Sequence, residues 1–191
     1  MNEELLIKAM SLFDTSDKWN AFCELINRNG TIQERWWKKL QTEVYLRETK
    51  NPNLDWDIHI YNSWDIKWHI KGESIDSLTI HFWGQKLRIY CNNGYFDTNM
   101  INNLLKNPKF DAIRNCFDRI DGGDNDSIWE ERNFSFGSAF DGRFPDESSL
   151  SWYAGNETEK FADQLIAKVR KFQTPEITEL FKEINNTCKR K

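Results

Sequence analysis

Apolar residues recur at helical spacing through the first fifty positions and then switch to strict alternation. Leu5, Leu6, Ala9, Met10 and Phe13 form one helical stripe. Trp19, Phe22, Cys23 and Ile26 form a second, with Asp14, Thr15 or Ser16 placed to cap it and Gly30 to stop it. Thr31 and Glu34 have the spacing of a capping box, which predicts a third helix carrying Trp36, Trp37, Leu40 and Val44 on one side. Pro52 and its asparagine neighbours end this helical region, 1–50. The period of two that follows predicts strands at 57–61, 65–70, 78–83 and 86–91, inside a sheet region of 56–97.

Helical spacing returns over 98–120, where Asn107 and Pro108 open a helix with Phe110, Ile113, Cys116 and Phe117 inward. It returns again over 157–188. There Asn156 is placed to cap a helix burying Phe161, Leu165, Ile166 and Val169, and Thr174 and Pro175 open a last one carrying Ile177, Leu180, Phe181 and Ile184. Residues 121–153 read as an acidic loop region with one short strand candidate at 132–137; loops of that length are uncommon and often functional. The pattern predicts an α+β fold in one domain, 1–191. Its centre is a four-stranded antiparallel meander over about 57–91, with a candidate fifth strand, and N- and C-terminal helices cover one face.

Turn chemistry sets the register. Gly84 suits the first position of a type II′ turn, so Phe82 pairs with Leu87, Ile80 with Ile89 and Leu78 with Cys91. A three-residue loop at 62–64 pairs Ile60 with Ile66 and Ile58 with Trp68, whereas a two-residue loop would set Ile60 against Asp65. The same logic puts Ile70 beside Leu78. The inward face is then Ile58, Ile60, Ile66, Trp68, Ile70, Leu78, Ile80, Phe82, Leu87, Ile89 and Cys91. The opposite face gathers Asp57, His59, Tyr61, Asp65, Lys67, His69, Thr79, His81, Trp83, Lys86, Arg88 and Tyr90, and so all three histidines of the chain. Lys67 is expected between His59 and His81, with His81 facing Arg88 and Trp83 next to Asp65.

Charge and cysteine content narrow the chemistry. The net charge is -4, and eight acids against Arg132 and Arg143 between Asp121 and Glu147 make that segment -6, leaving +2 elsewhere. That balance weighs against a protein coating duplex DNA with its whole surface. Four scattered cysteines without a Cys-x-x-Cys pair read as reduced thiols rather than a zinc cluster or disulfide framework. The N-terminal residues lack a basic signal start and no apolar run approaches membrane-spanning length, so a cytoplasmic protein with no membrane partner is expected.

Asp65-Ile66-Lys67, preceded by Asp55 and Asp57, resembles the PD-(D/E)xK nuclease signature over about a dozen residues. That resemblance implies a magnesium ion held by carboxylates, a lysine that helps activate water, and catalytic roles for Glu43, Asp57, Asp65 and Lys67. The register itself puts Asp57 and Asp65 four positions apart, about 13 Å at ~3.3 Å per residue. Three histidines on one face raise an open zinc site, but a cation between His59 and His81 would meet the Lys67 ammonium, so no metal is expected there. Residues 122–128 are similar to one copy of the RTX-type calcium repeat, which needs tandem copies to stack.

Three functional readings follow. The first is a non-catalytic binding or regulatory module acting through protein contact and neutralising a basic effector, without a cofactor. Trp129, Trp152 and the face residues His59, Tyr61, Lys67, His81, Trp83, Arg88 and Tyr90 are its candidate contacts. The second is a magnesium-dependent PD-(D/E)xK-like nuclease. The third is single-stranded nucleic-acid binding, with Tyr61, Trp83 and Tyr90 stacking bases and Lys67, Lys86 and Arg88 meeting phosphates.

Overall fold

The computed structural model describes residues 3–61, 65–83, 86–120, 127–131 and 147–190. Three helices come first: α1 (Glu3–Ser11), α2 (Ser16–Asn27) and α3 (Asn29–Lys50). Thr15 is the residue that caps α2, its hydroxyl accepting from the Lys18 amide. Gly30 does not stop that helix. It lies in the first turn of α3, which therefore begins before the expected capping box.

Five antiparallel strands follow in simple meander order: β1 (Trp56–Ile60), β2 (Asp65–Ile70), β3 (Thr79–Trp83), β4 (Lys86–Tyr90) and β5 (Ser127–Glu131). The observed pairs Ile60 with Ile66, Ile58 with Trp68, Ile80 with Ile89 and Phe82 with Leu87 are those expected from the turns. The strand candidate at 132–137 lies outside the described residues, and the fifth strand is five residues earlier. Between β4 and β5 come α4 (Thr98–Leu104), a 3-10 turn at Pro108–Phe110 capped by Asn107, and α5 (Asp111–Arg114). Helix α6 (Glu147–Asn156) occupies part of what reads as acidic loop. Asn156 therefore ends α6 rather than capping α7 (Thr158–Arg170), and α8 (Pro175–Cys188) closes the chain with Thr174 as its cap.

The core lies between the inward sheet face and α3, α6, α7 and α8. Burial of these side chains is the main driving force for assembly. Trp37 of α3 meets Phe82 and Phe161, Phe161 meets Tyr153, and Phe117 meets Phe172, all with centroids 5.1–6.0 Å apart. Trp56 joins this core as well. Its ring packs edge-on to Phe181 at 5.2 Å and its indole N–H donates to the Thr178 hydroxyl at 2.9 Å. Charged groups enter the same layer in pairs: Lys168 of α7 lies 3.1 Å from Glu131 of β5 and 2.7 Å from Asp118. Arg170 similarly reaches the buried Glu48 at 2.7 Å.

Helix α6 approaches α3 through small residues. Gly155 has the Trp36 indole directly over its Cα, so that an added methyl would overlap the ring, and its carbonyl accepts from Lys39 Nζ at 2.7 Å. Alanine is ordinarily about 1 kcal/mol better than glycine inside a helix. Here overlap decides the sign: Gly155→Ala is expected to lower unfolding free energy by about 1–3 kcal/mol. Urea denaturation measures this, and adding Trp36→Leu should recover most of the loss. A Gly155→Ala protein as stable as the parent would mean that this helix contact is looser than described.

Candidate functional site

Alternation places every second residue of β1 to β4 on the face away from the helices. His59 stands opposite Lys67, Lys67 opposite His81, His81 opposite Arg88 and Asp65 opposite Trp83. His59 and His81 thus share one face, as the parity of the strands requires. Glu130 of β5 completes the row opposite Arg88.

The middle of this face is a second buried layer, not an open surface. Lys67 is 6% exposed, His81 3%, Arg88 9% and Glu130 1%. Charges in such a place need partners, because removing an ion from water without one is costly. Aromatic rings and opposite charges supply them. Lys67 Nζ sits 4.7 Å from the Tyr61 ring centre and 4.2 Å from that of Tyr90. The Arg88 guanidinium lies 5.0 Å from Trp83 and 5.1 Å from Tyr90, and Lys86 Nζ lies 5.5 Å from Trp83. These distances are within reach of cation–π attraction. Lys86 also stands 3.5 Å from Glu130.

His81 is held from both sides. Arg88 Nε donates to His81 Nδ1 at 3.0 Å, which makes Nδ1 the acceptor and leaves the proton on Nε2. Nε2 in turn lies 3.3 Å from Asp65 Oδ1, a contact short of a well-aligned hydrogen bond. Burial outweighs the pull of Asp65 and, with Arg88 and Lys67 nearby, drives the imidazole down from 6.5 to about 4. The ring is neutral at pH 7.

The other expected site residues are spread out. Asp57 is exposed at one end of the first hairpin opposite His69, while Asp65 is at the other end, so no carboxylate pair forms. Glu43 faces the groove between α3 and α7, where it accepts from Arg47 Nε at 2.6 Å; the same guanidinium pairs with Asp163. That groove is on the helical side of the sheet, away from Asp65 and Lys67. No cluster of three or more histidine, cysteine, aspartate or glutamate side chains suited to a metal occurs among the described residues. Trp129 opposes Ile89 and turns to the inward face, packing edge-on to Phe117 at 6.4 Å. Trp152 is exposed on α6, and Tyr61 and Trp83 remain exposed at the rim of the polar face. Most of the acidic segment lies outside the described residues.

Sequence reasoning missed Glu130 and Glu131. Two adjacent acids in a strand leave no apolar alternation to follow, yet one meets the polar layer and the other meets Lys168. Comparison with protein-family models, with curated proteins and with solved structures finds no match. No helix among the described residues is long and apolar enough to cross a membrane.

The depressed His81 value makes the fold sensitive to acid. The unfolded chain takes up this proton near pH 6.5 and the native chain only near pH 4, so the stabilisation is full above 6.5. As pH falls through that window the loss is at most about 1.4 kcal/mol per unit. Glutamine can accept from Arg88 and donate to Asp65 without titrating. Urea unfolding at pH 7.5 and pH 5 should therefore show a shallower pH dependence for His81→Gln than for the parent. Parallel curves would mean that His81 is not buried in its neutral form.

Proposed function

We propose that this chain is a non-catalytic binding module that acts through protein contact, with the α1–α2 arm as its contact element. Support comes from one observation above all: α2 has no buried residue, and the arm keeps its aliphatic side chains in water. Ile7 is 61% exposed, Met10 66% and Leu12 65%; Trp19, Leu25 and Ile26 are more than half exposed as well. Phe13, Trp19 and Phe22 stack on one another at 4.3–5.9 Å and hold the two helices together. Contiguous exposed apolar surface of this kind is characteristic of recognition sites.

The charges on the arm favour a basic partner. Glu3, Glu4, Asp14, Asp17 and Glu24 outnumber Lys8, Lys18 and Arg28, and each of the three bases is already paired within its own helix or cap. A net negative charge beside exposed apolar side chains speeds encounter with a positively charged protein and disfavours an anionic lipid surface. The nuclease reading finds less support, since Asp65 faces His81 and the Lys67 ammonium rests on two rings. Base stacking on the sheet finds less support for a similar reason: the rings of Tyr61, Tyr90 and Trp83 carry cations of this chain.

Affinity capture from native lysate with the parent chain and with an Ile7→Glu/Met10→Glu/Ile26→Glu variant tests the proposal. The expected result is a stoichiometric basic protein on the parent that is absent from the variant and that binds the purified parent directly. Thermal melting should coincide for the two chains, because none of the three residues belongs to the core. Identical sets of captured proteins would overturn the assignment of the arm.

A further inference from the structure

Strand β1 is an edge of the sheet, and its unpaired side has a defined pattern of donors and acceptors. Tyr61 N donates to Asp65 O at 3.1 Å and Lys71 N to Asp55 O at 2.9 Å, so odd-numbered residues turn their main-chain groups toward β2. The even-numbered Trp56, Ile58 and Ile60 turn theirs outward. The groups of Ile58 and Ile60 have no hydrogen-bond partner among the described residues. Protein edges are usually blunted by proline, a bulge, charged side chains or shortness; β1, five residues long, has no proline, lysine or bulge and one charged residue, Asp57. On its inward side Ile58 and Ile60 are only partly buried. Ile60 lines a cavity of about 310 Å³ with Tyr61 and with Lys38, Gln41, Thr42 and Tyr45 of α3.

We infer that β1 pairs antiparallel with β1 of a second copy of this chain, about a two-fold axis at Ile58, joining two sheets into one. Charge selects this occupant and this register. With the axis at Ile58, Asp57 of each copy falls opposite His59 of the other. Moving the axis to residue 57 sets Asp57 against Asp57, and like charges directly opposite are destabilising; moving it to residue 59 loses both Asp57–His59 pairs. Hydrogen bonding is compatible with this alignment. Ile58 exchanges bonds with its own symmetry mate, and each Ile60 N–H meets the other Trp56 carbonyl. The pairing is isologous, as two-fold dimers require. It sets Ile58 against Ile58 on the apolar side, with Tyr45 and the cavity beside Ile60 flanking the seam. This surface is separate from the α1–α2 arm, and the two proposals fail independently.

Sedimentation equilibrium from about 1 to about 200 µM tests the inference. The expected result is a reversible monomer–dimer equilibrium. Ile58→Pro should leave a folded monomer, because the lost N–H points out of the sheet and proline is tolerated on edge strands. Independently of that variant, His59→Asp should weaken the dimer about tenfold by setting acids opposite one another. Adding Asp57→Lys to it should restore association. A parent chain that is monomeric throughout, a dimer indifferent to all three changes, or a dimer lost only in the arm variant would each overturn the proposal.

Discussion

A cation taken out of water must find its counter-charge or a ring inside the fold, and that requirement organises both faces of this sheet. On the helical side Lys168 answers Glu131 and Asp118, and Arg170 answers Glu48. On the other side Lys67 rests on Tyr61 and Tyr90 while Arg88 bonds His81 and covers Trp83. A one-residue slip of β2 or β4 would turn Lys67 or Arg88 inward among aliphatic side chains and an isoleucine neighbour outward. Register and charge pairing therefore enforce each other.

Much of this was legible in advance, because hairpin turns and alternation are local. Gly84 and the matched isoleucines suffice to align β3 with β4, and Ile60 with Ile66 to align β1 with β2. What was not legible depends on partners distant in the chain. The buried positions of β5 include acids whose counter-charges lie on β4 and α7. Helix α6 buries Leu150, Tyr153 and Ala154, a stripe of little more than one turn that follows an acidic segment, and it meets Trp36 of α3 at Gly155. Trp56 reads as a residue before its strand, yet its ring belongs to the core beside Phe181. Burial of the polar face was equally hidden, since alternation reports which side a residue takes and not whether that side is wet.

The candidate site changes character accordingly. Residues chosen as contacts for a ligand, among them Lys67, His81 and Arg88, are buried, with Arg88 bonding His81 and Lys67 lying over Tyr61 and Tyr90. The surfaces proposed to meet another protein lie elsewhere, on the arm formed by α1 and α2 and along the outer side of β1. Those stretches combine exposed apolar side chains or outward main-chain groups with few core contacts, so binding there need not disturb the sheet.

The clasp between Glu131 and Lys168 bears on how the chain assembles. Strands β1 to β4 are joined by short connections and can zip together as they emerge during synthesis. The fifth strand is different, since the ammonium that neutralises its inner acid arrives only with α7, thirty-seven residues later. Until then that carboxylate is better left in solvent, which delays closure of the second sheet edge until the C-terminal helices are in place.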